Sequence, residues 1–183
     1  MHSYFLSATI DIKYGKVLGG IQMKKLLFLV VLVFTLFALV GCTVISDKEF
    51  TAAGITITLD NTFTQKEVVQ APLYLESLDH IFIGLRESKS SLFAYGIDTL
   101  AEYTQAVISN AGHDSEVLTF NEGEITFMYA YYEATVEDQD FGYMLICMEG
   151  ADYFYTMNFG CLEKNLDGNK DQYIDWVKTI IVA

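Results

Sequence analysis

From Glu116 to Cys161 the chain repeats one arrangement: a run rich in β-branched and aromatic residues, then a short turn. The runs are Glu116 to Phe120, Glu124 to Ala134, Phe141 to Glu149 and Tyr153 to Cys161. Asn121-Glu122-Gly123, Glu137-Asp138-Gln139-Asp140 and Glu149-Gly150-Ala151-Asp152 separate them. Runs bounded by such turn residues read as strands. Connections this short permit antiparallel neighbours, whereas parallel strands need a long crossover. An antiparallel meander of four strands is therefore expected.

The chain before the meander carries three more strand patterns. Gly54 to Leu59 alternates apolar and polar residues, the strand period. Asp60-Asn61-Thr62 is a turn, and the isolated Phe63 after it is expected to plug the core. Pro72 to Ser77 and His80 to Arg86 flank a Leu78-Asp79 turn, with the only proline at a strand start, where it costs little. Thr99 and Glu102 then form a capping box, in which the threonine hydroxyl caps an early N–H and the glutamate reaches back. Leu100, Tyr103 and Val107 recur at helical spacing, and Asn110-Ala111-Gly112 supplies a stop. Tyr173, Trp176, Val177 and Ile180 mark a terminal helix, with Asp171 and Lys178 placed to suit its dipole.

Segregated strands and helices predict an α+β fold: opening strands, a helix, a four-strand meander and a C-terminal helix, the helices packed on an antiparallel sheet. This order, with the opening strand Gly54 to Leu59, then Phe63, and the closing amphipathic helix, resembles the PsbP-like fold over roughly residues 50–182. That fold includes an extrinsic subunit of photosystem II, a Ran-binding nuclear transport factor and bacterial lipoproteins. The resemblance implies a binding domain rather than an enzyme. It transfers no functional residue.

At the other end, Lys24 and Lys25 precede an uncharged apolar run, Leu26 to Val40, that closes in Leu39-Val40-Gly41-Cys42. The run is shorter than the ~20 residues a spanning helix needs. It has the basic head and apolar middle of a signal peptide. The closing tetrad resembles a bacterial lipobox. The resemblance implies a diacylglyceryl group on the Cys42 sulfur, cleavage between Gly41 and Cys42, and an anchor on the outer face of the cell membrane. Two or more acyl chains give stable anchoring, since each buried methylene contributes about 0.8 kcal/mol. Residues 1–22 lie awkwardly before the basic head. Gly19-Gly20 codons can spell a ribosome-binding site, so translation is expected to start at Met23. The expected organisation is 1–22 an untranslated extension, 23–41 the signal peptide, 42–51 a tether and 52–183 a single domain.

The chain has 11 Lys+Arg and 24 Asp+Glu; four of the basic residues and one acid precede Cys42. Residues 42–183 therefore carry 7 basic and 23 acidic groups, a formal charge of −16. Binding nucleic acid requires clustered cations to neutralise phosphates, so that function is disfavoured and no nucleic-acid partner is expected. Anionic headgroups are disfavoured for the same reason. A basic partner or divalent cations suit the charge. Cys147 and Cys161 would lie at opposite ends of one hairpin. At about 3.3 Å per residue that puts them beyond the ~7 Å limit for a disulfide, so both are expected as buried free thiols.

No sequence motif names a reaction. His80 and His113 lack a recognisable nucleophile motif, and no His/Cys spacing fits zinc. Glu163 to Asp171 has oxygen ligands at alternate positions before a glycine. The twelfth position of a calcium loop needs a bidentate glutamate, and here it holds Ile174. Glu137, Asp138 and Asp140 crowd one hairpin tip and are a candidate site for a weakly held divalent ion. Tyr129, Tyr131, Tyr143, Tyr153 and Tyr155 recur in strand register. On an uncovered sheet face such tyrosines would form an amphipathic patch for a partner. The favoured function is a non-catalytic, lipid-anchored binding domain for a protein or envelope partner, with no cofactor. The alternatives are an accessory protein that binds a small ligand or divalent cation, and a hydrolase whose site joins a histidine to Ser, Cys or carboxylate.

Overall fold

The computed structural model describes residues 45–183. Ten strands and three helices follow in the order β1 (Asp47–Ala52), β2 (Ile55–Asp60), β3 (Thr64–Val68), β4 (Ala71–Glu76), β5 (Ile81–Ser88), α1 (Lys89–Phe93), α2 (Leu100–Asn110), β6 (Leu118–Glu122), β7 (Ile125–Val136), β8 (Gln139–Glu149), β9 (Tyr153–Leu162), α3 (Leu166–Val177) and β10 (Ile181–Val182). A 3-10 turn, Glu163–Asn165, leads into α3. The fold is α+β and antiparallel, as its sequence pattern requires. Among the described residues no helix is long and apolar enough to cross a membrane.

Two sheets form. β1-β2-β10 is a three-stranded sheet, and β3-β4-β5-β9-β8-β7-β6 a seven-stranded one. The meander β6-β7-β8-β9 lies in sequence order, and β5 adds antiparallel to β9. The first face of the large sheet is closed by the small sheet and α3. Phe50, Ile55, Ile57 and Leu59 meet Leu73, Phe82, Met157 and Phe159 there, with Tyr173 and Val177 from α3. Phe63 plugs this core at 1% exposure. Thr179 ties the end of α3 to β2: its Oγ1 accepts from Thr58 N at 3.1 Å.

The second face is covered by α2 over part of its width. Tyr103 and Ile108 of α2 pack on Ala130, Leu145, Cys147 and Phe154. The Thr99 hydroxyl accepts from Glu102 N at 3.2 Å, and Glu102 accepts from Thr99 N at 3.0 Å, completing the expected capping box. Gly112 ends the helix region at φ +79°, a conformation glycine adopts without strain.

Several expectations shift. Residues 47–51 belong to β1 and not to a tether, because Phe50 buries its ring and fixes the strand against β2. β3 was not expected: every residue in it is exposed, so it carries no alternation. Its pairing with β4 alone makes it a polar edge strand. The segment Glu163 to Asp171 is a 3-10 turn and helix start, in keeping with the missing glutamate at its twelfth position. As expected, Cys147 and Cys161 are both free and buried, and they sit in the cores of opposite faces.

Candidate functional site

Directly paired residues in adjacent strands point to the same face of a sheet. The register therefore maps the second face row by row. One row reads Glu76, Ile81, Gly160, Tyr143, Tyr132; the next reads Tyr74, Ile83, Asn158, Leu145, Ala130. α2 covers Leu145 and Ala130. Outside it, Tyr74, Ile81, Ile83, Leu85 and Tyr143 are half-buried, as is Phe141 in the row beyond Tyr143; Tyr132, also half-buried, packs at the edge of the α2 cluster. These side chains form a continuous apolar and aromatic surface that the fold leaves open.

The rings on this surface are held in place. Tyr132 stacks on Tyr143 with centroids 5.0 Å apart and planes at 12°. His113, just past α2, lies 4.3 Å from Tyr132. The Tyr132 hydroxyl donates to Asn158 Oδ1 at 3.0 Å. Burial pushes the Tyr132 phenol up to about 12, with Tyr143 adding to it. Burial also raises Tyr143, helped by the nearby Tyr74 phenol. Both remain protonated at neutral pH. The surface thus offers apolar area, ring faces and phenolic hydrogen-bond groups, the composition used to hold a partner that is apolar in part and polar at its tips.

Of the tyrosines singled out in the sequence, only Tyr143 lies on this face. Tyr129, Tyr131, Tyr153 and Tyr155 point to the first face and pack against its core. Tyr155 is fully buried and donates to Ala183 O at 2.9 Å. Arg86 sits 4.4 Å over the Tyr153 ring and Lys170 4.7 Å over Tyr131. Burial pushes Tyr131 up to about 12, with smaller contributions from Tyr129 and Asp171. The five therefore do not form one exposed patch. Tyr74, Tyr132 and the Ile81, Ile83, Leu85 stripe take their place. The signal for them was visible: β5 is apolar on both faces, since Phe82 alternates with Ile81 and Ile83.

The acidic tip does not assemble a metal site. Glu137 and Asp138 occupy the turn at φ +50° and +63°. Asp140 is already in β8 and accepts from the Thr135 hydroxyl at 2.7 Å. Among the described residues no group of three or more His, Cys, Asp or Glu is placed to hold a metal ion. Gly41 and Cys42 lie outside the described residues, as do the signal peptide and the expected translation start.

The two histidines among the described residues are used structurally. His80 Nδ1 is 3.0 Å from the Tyr173 hydroxyl, and its ring contacts both Phe63 and Trp176, which also touch each other. Burial lowers the His80 pKa, opposed by the Asp79 and Asp60 carboxylates. The nearby Ser77 hydroxyl closes the β4–β5 turn, accepting from His80 N at 3.1 Å. It is thus engaged by backbone. His113 packs against the Tyr132 ring with planes tilted at 34°.

A sandwich of this kind defines an α+β domain with one closed and one half-open sheet face. No protein-family model and no curated protein matches the chain. Solved structures do. The Ran-binding protein Mog1p of Saccharomyces cerevisiae is 9% identical, with a TM-score of 0.50, over 75% of this chain and 96% of that one. A protein from Bacteroides thetaiotaomicron VPI-5482 is 12% identical, with a TM-score of 0.51, over 74% of this chain and 48% of that one. Cyanobacterial PsbP (CyanoP) from Synechocystis sp. PCC 6803 is 12% identical, with a TM-score of 0.44, over 78% of this chain and 96% of that one. At such identities the likeness is one of fold.

Proposed function

We propose that the chain is a lipid-anchored, extracytoplasmic binding domain that docks a protein partner on the open face of its large sheet. The observation that carries this reading is the half-buried surface of Tyr74, Ile81, Ile83, Leu85, Tyr132 and Tyr143 beside α2. A contiguous apolar patch left open on a folded domain marks an interaction site more often than chance exposure. The same fold serves Mog1p, a Ran-binding protein. The anchor is Cys42, the cysteine of the Leu39-Val40-Gly41-Cys42 tetrad. With about −16 formal charges beyond it, the domain gains nothing from an anionic bilayer by itself.

Two measurements test this. Cys42→Ala should move the protein out of the membrane fraction; full retention in the membrane would remove the anchor. A benzoylphenylalanine photo-crosslinker in place of Tyr143 should trap a discrete partner in native membranes. The same probe in place of Glu124, exposed in the β6–β7 turn away from this surface, should trap none. Equal yields from both positions would sink the docking assignment.

A further inference from the structure

The open face ends in a hollow. A recess of about 220 Å³ lies at the Leu78-Asp79 end of the sheet, lined by His80, Ile81, Phe141, Leu162 and Asn165 with Asp79 at its side. Gly160 belongs both to this lining and to the row Ile81, Gly160, Tyr143. It is a glycine for a spatial reason: a Cβ there would stand 2.7 Å from Tyr143 Cε1 and 2.9 Å from Ile81 Cγ1. The recess is thus continuous with the docking surface. It is smaller than the ~300–1,000 Å³ of a pocket for a whole small molecule, so it suits one inserted side chain.

Charge selects which side chain. The walls Ile81, Phe141 and Leu162 are apolar, and the mouth carries Asp79, exposed. An apolar stem with a cationic tip meets both requirements. The domain already uses this pairing internally: Lys48, Arg86, Lys89, Lys170 and Lys178 each lie over an aromatic ring. Among the described residues none of these contacts falls on Tyr132, Phe141 or Tyr143, so those rings are left to a cation from elsewhere. A second copy of this chain is a poor source, because two domains each near −16 repel.

Chain length says where the partner stands. Ser46 O accepts from Asn61 N at 2.8 Å. Phe63, two residues on, stacks on His80 with centroids 6.3 Å apart. The described chain therefore begins at the recess end of the sheet. From Ser46 back to Cys42 is a reach of at most ~14 Å.

We infer that the recess takes an arginine or lysine side chain from an extracytoplasmic segment of a membrane-embedded protein, its stem against Ile81, Phe141 and Leu162 and its charge beside Asp79. This inference rests on the anchored docking domain proposed above.

The first test uses N-acetyl-arginine amide and N-acetyl-norleucine amide as probes on the detergent-solubilised full chain, followed by backbone amide shifts. The arginine amide should give saturable shifts confined to Leu78 to Ile81 and Gly160 to Leu162. Asp79→Asn should weaken binding roughly threefold, the scale of an exposed ion pair, and Asp79→Lys should remove saturation. Asp79 lies in an exposed turn, so these variants test the idea without the overpacking that Gly160→Val brings. Equal binding of the norleucine amide, or no saturable shift with either probe, overturns the inference. The second test places the photo-crosslinker at Tyr74 in native membranes. A crosslink that disappears with Asp79→Lys supports the inference. A crosslink indifferent to Asp79→Lys overturns it and leaves the docking domain standing. No crosslink from either Tyr74 or Tyr143 overturns both.

Discussion

Whether the second face stays half open depends on what holds α2 in place, and one hydroxyl carries much of that duty. Tyr103, 1% exposed, donates from its phenol to Glu87 Oε2 at 2.8 Å. The same oxygen lies 2.7 Å from Thr156 Oγ1. Since the phenolic proton goes to Glu87, Thr156 is the donor in the second bond. Burial raises Tyr103 far above an ordinary phenol, so the proton stays on the ring oxygen at any relevant pH. Tyr103→Phe removes both bonds. Glu87 is exposed and recovers its partner from water, so that bond contributes little net. Thr156, at 7% exposure, keeps only the Cys147 sulfur at 3.9 Å. A stranded buried hydroxyl costs about 1–3 kcal/mol. The expected loss is therefore about 2 kcal/mol, or a urea midpoint lowered by about 1 M at a slope near 2 kcal/mol/M. Trp176, the only tryptophan, reports unfolding by fluorescence. The cycle with Thr156→Val sharpens the test. If the stranded hydroxyl is the cost, valine in the Tyr103→Phe background should recover about 1 kcal/mol, because removing both polar partners is nearly neutral. A Tyr103→Phe loss below about 0.5 kcal/mol, or a Thr156→Val effect that is the same in both backgrounds, would refute the reasoning.

Three further outcomes follow from single groups. The His80 pKa is lowered, chiefly by burial, so between 6.5 and its folded value the unfolded chain binds more protons; stability should fall as pH drops below about 6.5, and His80→Gln should lose that part of the slope, a parallel pH profile in wild type and variant counting against it. Burial pushes the Cys147 thiol up to about 11, which leaves roughly one thiolate in ten thousand at neutral pH; iodoacetamide mapped by peptide mass should leave Cys147 unlabelled in the native state, and rapid labelling would contradict the packing under α2. Thr99→Ala removes the capping box at a cost of about 1 kcal/mol, expected as a melting temperature about 3 °C lower; an unchanged melting point would mean the α2 cap adds nothing to the tertiary clamp.

The strands were legible where period 2 and turn residues coincide. β7, β8 and β9 fall within a few residues of their expected positions because Gly123, Glu137-Asp138 and Gly150 punctuate them. The capping box placed α2 to the residue. What failed to show were elements too short or too exposed to carry a periodic apolar signal of their own. β3 is wholly exposed, and α1 has no buried residue. β10 pairs with β2 through only Ile181 and Val182. Each is positioned by a neighbour, and no window of sequence contains that neighbour.

The candidate site misled for a related reason. Alternation assigns residues to two faces without saying which face is covered, so Tyr129, Tyr131, Tyr153 and Tyr155 read as one open patch when they sit on the face that the small sheet and α3 pack on, Tyr155 fully buried and the other three partly. Element sizes decide the matter better than tyrosine counts. A sheet of seven strands is ~29 Å wide at ~4.8 Å per gap. An 11-residue helix is ~16 Å long and ~10 Å across. α2 alone therefore cannot cover a face of that width, whichever way it lies. The first face escapes this limit because three strands join a helix over it. An apolar stripe such as Ile81, Ile83 and Leu85, on a face whose cover is α2 with Leu92 of α1 and the flanking Ile97 and Val117, extends beyond that cover. The half-buried residues place the opening over β4, β5, β9 and the neighbouring part of β8, where Tyr74 and Tyr143 stand.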